Sequence, residues 1–164
     1  FSGEGITKLN EGRPLFIRSP KSDFNLANFM RAHLYSSLTA VKLGLDILIE
    51  KENVVIKKMM GHGGFFKTKG VGQRYLSAAI NAPVEVLDNA GEGGAWGIAL
   101  LSLYVKYASK YKNLDEFLEK RIFEQNLGSE IMADERDIGG FKAFSKRYLD
   151  AIDVERLSVE RFAE

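Results

Sequence analysis

The stretch Met59-Met60-Gly61-His62-Gly63-Gly64-Phe65-Phe66-Lys67-Thr68 closely follows the apolar run Val54-Val55-Ile56. A second turn of the same kind, Asp88-Asn89-Ala90-Gly91-Glu92-Gly93-Gly94-Ala95-Trp96-Gly97, follows Val84 and Val86. Each reads as an apolar strand giving way to a helix through glycines. Such a unit leaves free backbone N–H groups at the positive end of a helix, where phosphate binds well. Two of them on neighbouring strands would share one crevice at the strands' carboxyl ends. The pattern predicts a nucleotide-binding half-site.

Working outward, Asp23 and Asn25 are suited to cap a long helix whose apolar positions, Leu26, Phe29, Met30, Leu34, Leu38, Val41, Leu45, Leu48 and Ile49, keep helical spacing to about Lys51. Asn53 marks its end. Residues 54–60 read as a buried strand, Gln73–Ile80 as a helix stopped by Asn81 and Pro83, and Val84–Leu87 as a short strand. A further helix is expected from about Gly94 to Ser109. This order predicts an α/β fold with a mostly parallel sheet flanked by helices. Ahead of it, Pro14 and Pro20 break residues 1–22 into short pieces, with Leu15-Phe16-Ile17 the best strand candidate. Behind it, Leu114–Phe123, about Ile138–Ile152 and Val154–Phe162 read as charged amphipathic helices separated by a polar stretch around Gly128. They form a helical tail packed on the α/β core. The opening on Phe1 without an initiator Met predicts a piece of a longer chain.

Composition narrows the function. With 164 residues, 45% of them hydrophobic, the chain can bury a substantial core. A formal charge of +1, with basic and acidic residues interspersed, gives no general pull toward nucleic acid or an anionic membrane. No run has membrane-spanning length. The absence of cysteine removes disulfides and thiolate metal sites and fits a reducing, cytoplasmic compartment. Two histidines, His33 and His62, are too few for a zinc site without carboxylate help. A homodimer is left open.

The first turn has to be tested against the known phosphate loops. Gly61, Lys67 and Thr68 fit the spacing G-x-x-x-x-G-K-[ST], but Phe66 stands where the second glycine must let the backbone wrap phosphate. The dinucleotide pattern G-x-G-x-x-G fails at the same residue. A third reading keeps the glycines: Gly63-Gly64 lets a flat adenine or ribose lie against bare backbone, flanked by Phe65 and Phe66. The plainer alternative is a tight strand–helix turn with no ligand.

The segment from Gly61 to Tyr104 resembles the nucleotide side of the FGGY carbohydrate kinases. Its features are Gly63-Gly64, a helix with Gln73, Ala82-Pro83-Val84-Glu85-Val86, Glu92 and Ala95-Trp96-Gly97-Ile98-Ala99. Upstream, Phe1-Ser2-Gly3-Glu4-Gly5-Ile6 is similar to a segment of xylulokinase-like members, and Phe29-Met30-Arg31-Ala32 to a helix of the family. The likeness runs from about Phe1 to Ser109. It implies a partial ribonuclease H-like, actin-like ATPase domain over residues 1–112, with 113–164 as a helical extension. It further implies the adenosine-binding part of an ATP- and Mg2+-dependent kinase that phosphorylates a pentulose such as xylulose. Gly63 and Gly64 match the family's adenosine-motif glycines. Gly61, Phe65, Lys67, Thr68 and Gln73 fall in the segment flanking the adenine, while Glu92 and Gly97 match the supporting second turn. The catalytic base and the sugar pocket belong to the family's N-terminal domain, so no catalytic residue and no metal ligand is expected here, and the piece alone should be inactive. Phe65-Phe66, Trp96 and Lys69-Gly70-Val71-Gly72 depart from the common pattern. An actin- or Hsp70-like nucleotide switch and a non-enzymatic interaction module are the rival readings.

The remaining candidates have plainer roles. His62 reads as a partly exposed turn residue and His33 as a core histidine with a hydrogen-bond partner. Asp88, Asn89 and Glu92 read as caps of the next helix, and Trp96 as core or pocket wall.

Overall fold

Asn25 starts the first long helix as its side chain suggests. Its Oδ1 accepts the backbone N–H of Asn28 at 2.9 Å, which satisfies one of the four donors that a helix leaves open. In the computed structural model, which describes residues 5–9, 11–88, 93–123 and 128–162, this helix, α1, covers Leu26–Lys51. It stops where Asn53 takes the left-handed conformation, φ 54°, that asparagine tolerates better than most residues. Then follow β1 (Met59–Met60), α2 (Val71–Ile80), β2 (Val84–Leu87), α3 (Gly93–Tyr107), α4 (Leu114–Phe117), β3 (Gly128–Ile131) and α5 (Glu135–Arg161). Asn81, also left-handed at φ 51°, and Pro83 end α2 as expected. Among the described residues, no helix is long and apolar enough to cross a membrane.

The contacts divide the chain into two units. One comprises Phe1–Ile56, Ala78–Asn81 and Ala133–Glu164, and the other Lys57–Ser77 and Ala82–Met132. In the first, α1 packs on α5. The Tyr35 ring sits 5.0 Å from Phe141 and 5.3 Å from Phe144, with Phe141 fully buried. Asp134 caps α5 by accepting the N–H of Asp137 at 2.8 Å. Buried Glu155 accepts the backbone N–H of Arg13 at 3.0 Å, so its carboxylate is not left without a donor.

The second unit holds the sheet, in the order β1-β2-β3. β1 and β2 are parallel, with Met59 opposite Val84 and Met60 opposite Glu85. β3 is antiparallel to β2, pairing Val84 with Ile131 and Leu87 with Gly128. The sheet is therefore mixed, which corrects the expectation of a mostly parallel one. Its third strand comes from the tail, which is not helical throughout. Gly-Ser-Glu-Ile carries one apolar side chain and lies in the polar stretch between charged helices, so little in its pattern marks a strand.

Three further expectations change. Only the last two residues of 54–60 pair; Val55 is 81% exposed, because a run of apolar residues makes a strand only where a neighbouring ladder accepts it. Leu15-Phe16-Ile17 is irregular and exposed. The two helices expected after residue 138 are one, since nothing between Ile152 and Val154 interrupts the backbone.

The second unit's core is built on Val84 and Phe117, both fully buried. Asn113 caps α4 by accepting the N–H of Glu116 at 2.9 Å, and that short helix delivers Phe117 to within 5.3 Å of the Tyr104 and Tyr111 rings. α3 is apolar in sequence yet leaves Ile98, Leu101 and Val105 exposed along one stripe.

Candidate adenosine shelf at the first glycine turn

Because β1 and β2 are parallel, their carboxyl ends lie at the same edge of the sheet, and β1 runs into the first glycine turn. The ladder continues one residue past β1, where the Gly61 N–H donates to the Glu85 carbonyl at 2.8 Å. The chain then turns at Gly63, φ 97°, and closes a 3-10 turn over Gly64–Phe66.

The glycines of this region serve different purposes. Gly61 is buried, and a Cβ there would lie 2.5 Å from the Phe66 ring. Gly72 is pressed against Phe65, whose carbonyl oxygen would meet a Cβ at 2.7 Å. Phe65 and Phe66, their centroids 5.3 Å apart edge to face, thus pack on glycines of their own turn. That placement explains both bulky residues without a ligand, and it seats Phe66 on the very glycine that a phosphate loop would need uncovered. Gly61→Ala is expected to destabilise the protein by about 1–3 kcal/mol, as overpacked sites do, seen as a lower midpoint of denaturant unfolding.

Gly63 needs its left-handed backbone conformation. Gly64 has no such reason. Its φ is not in the left-handed region, it is exposed, and among the described residues a Cβ there would meet nothing within 4 Å. Gly94 and Gly97, in the first turns of α3, are open in the same way. The two turns meet at His62, whose ring lies on Gly93 so closely that a Cβ there would be 2.8 Å from Nδ1. His62 is exposed, as expected of a turn histidine.

Gln73 is 2% exposed, and its amide is engaged within the fold. Its Nε2 donates to the carbonyls of Val84 at 3.2 Å and Ser129 at 2.6 Å, and its Oε1 accepts the Ser129 hydroxyl at 3.3 Å. One side chain thereby fixes α2 to both β2 and β3. Gln73→Leu leaves those carbonyls without their donor and is expected to cost about 1–3 kcal/mol, measured by chemical denaturation.

Lys67 and Thr68 are exposed on the turn, whose main chain closes with the Val71 N–H donating to the Thr68 carbonyl at 3.2 Å. Asp88 is exposed at the end of β2, while Asn89, Gly91 and Glu92 lie outside the described residues, as do Phe1–Glu4. Trp96 is half-buried, 6.4 Å from Phe123. His33 is not in the core. It lies exposed on α1 with Nδ1 2.9 Å from the Phe29 carbonyl and its ring 4.4 Å from the Phe29 ring, since the apolar stripe there faces solvent.

Beside the strand ends lies a cavity of about 260 Å3 lined by Lys58, Met60, Glu85, Leu87 and Phe123. Lys58 pairs with Glu85 across its wall, and that hydrogen bond and charge raise the lysine's pKa above its ordinary value. Among the described residues, no group of three or more His, Asp or Glu could hold a metal ion.

Residues 1–105 match the profile of the FGGY family of carbohydrate kinases, C-terminal domain. The chain belongs to this family. The domain is a member of the ribonuclease H-like, actin-like ATPase fold. In this carbohydrate-kinase domain the matched region holds α1, β1, α2, β2 and most of α3, and with them both glycine turns. No curated protein and no solved structure matches the chain.

The tasks of Gly72 and Gly93 do not follow from their spacing alone. The signal was present in part: two adjacent aromatics flanked by glycines, and a histidine in one glycine turn facing glycines in the next.

Proposed function

We propose that this chain is the adenosine-binding side of a sugar kinase that transfers the γ-phosphate of ATP to a pentulose, xylulose being the leading candidate. One observation carries the reading. Gly64 lies open on a turn at the carboxyl end of a parallel strand, and neither its backbone conformation nor any neighbour among the described residues requires a glycine there. A flat ligand approaching the main chain supplies that requirement.

In this reading Gly63 and Gly64 form the shelf, with Phe65 and Thr68 at its edge. Gly61 and Gln73 hold the shelf in place from within, as their burial indicates. Residues 1–112 are the nucleotide-side portion, and 113–164 are an extension that adds β3 to the sheet. ATP, with its magnesium, supplies the phosphoryl group. The chain's own contribution is to bind and orient the adenosine end, so that phosphate and acceptor hydroxyl meet in line. No magnesium ligand and no base are assigned to its residues, and by itself it is expected to phosphorylate nothing.

The test is isothermal titration of the full-length enzyme with a non-hydrolysable ATP analogue, together with an assay of ATP turnover with and without pentulose. Binding and a sugar-dependent turnover are expected. Turnover indifferent to sugar would replace this reading with a nucleotide-driven switch, and absence of binding with an interaction module.

A further inference from the structure

Tyr107, the last residue of α3, carries three cations around its ring. The Lys106 and Lys110 ammonium groups lie 5.8 and 5.4 Å from the ring centroid, and the Arg121 guanidinium carbon lies at 4.7 Å. Among the described residues, none of these three cations is paired with a carboxylate. The described acids of the same segment are otherwise placed. Glu116 is engaged by Lys120 at 2.7 Å and by the backbone N–H of Lys112 at 2.6 Å. Those contacts, the backbone one first, hold its carboxyl below the ordinary glutamate range. Asp115 and Glu119 are exposed and pair with none of the three. Like charges gathered on one aromatic ring repel one another, and an anion placed among them relieves that repulsion.

A cavity of about 330 Å3 adjoins the cluster, lined by Leu103, Tyr111, Lys120, Arg121 and Ile122. Three of the five lining residues come from Leu118–Ile122, a π-helical turn, a form found often at functional sites. The volume is at the small end of ligand pockets.

We propose that this cavity binds a phosphate monoester of sugar size. The Arg121 guanidinium offers two parallel N–H donors to phosphate oxygens, Lys106 and Lys110 add charge, and the Tyr111 ring and Leu103 pack against the carbon skeleton. None of these residues belongs to the glycine turns, so the assignment does not depend on the adenosine shelf.

The experiment is isothermal titration of the full-length protein with ribose 5-phosphate, inorganic phosphate and ribose at constant ionic strength, repeated on Arg121→Gln and on Lys106→Gln/Lys110→Gln. Ribose 5-phosphate is expected to bind saturably in the low-millimolar range or below, and ribose not at all. Arg121→Gln should weaken the ester by about tenfold or more, as loss of a bidentate charged pair does, with the KM for ATP unchanged. The double lysine variant should weaken it less. Thermal unfolding confirms that the variants fold, which the exposure of all three residues favours. Inorganic phosphate binding as tightly as the ester would overturn the sugar-phosphate assignment. No saturable binding, or binding untouched by both variants, would overturn the site itself.

Discussion

Replacing Gly64 by aspartate in the full-length enzyme raises the KM for ATP at least tenfold and leaves the KM for the sugar nearly unchanged. The position is exposed and a Cβ there meets nothing among the described residues, so the new side chain fits beside them without displacing a neighbour. What it obstructs is whatever approaches the turn from outside. A carboxylate placed on the shelf both fills it and adds a negative charge near the phosphates, and a tenfold loss corresponds to about 1.4 kcal/mol. Steady-state kinetics with each substrate varied in turn would read the split. A rise in the sugar KM with none in that for ATP would put a different ligand on this turn.

The largest effect on stability is expected from Phe117→Ala. Its ring is fully buried against Tyr104 and Tyr111. Truncation of a buried Phe costs about 3–5 kcal/mol, from lost transfer energy and from the cavity left behind. Denaturant unfolding should show that loss in the midpoint, and Phe117→Leu should recover part of it. A change below about 1 kcal/mol would mean that the site collapses freely, against the close packing of interiors.

The difference between these variants shows what was legible in the sequence. α1, α2, β2 and α3 could be read because caps, helical spacing and stop signals agreed at each: Asn25 before Leu26, Asn53 after Lys51, Asn81 and Pro83 after Ile80. The parallel pairing of β1 with β2 followed from the helix between them. What could not be read depends on partners distant in sequence. Ser129 joins the sheet because β2 offers an edge and Gln73 reaches its carbonyl, neither of which is visible in Gly-Ser-Glu-Ile. Val54 and Val55 look like a buried strand, yet no ladder receives them.

The glycine turn was legible as a unit and illegible in its parts. Gly61, Gly63, Gly64 and Gly72 are identical letters with different reasons. Two make room for phenylalanine rings, one adopts a backbone conformation that other residues avoid, and one is open to solvent. Placement of Phe65 and Phe66, and the backbone angle of Gly63, separate them. The same placement shows why the phosphate-loop spacing is coincidental here: Phe66 covers Gly61.

Gly64→Ala offers the most direct measurement, because it separates binding from folding. At a backbone conformation that alanine accepts, the substitution should leave stability unchanged or raise it by about 0.4–1 kcal/mol. Titration of the full-length enzyme with a non-hydrolysable ATP analogue, alongside thermal unfolding, should show weaker binding in a protein at least as stable as the original. Undiminished affinity for the analogue would show that no nucleotide rests on this main chain.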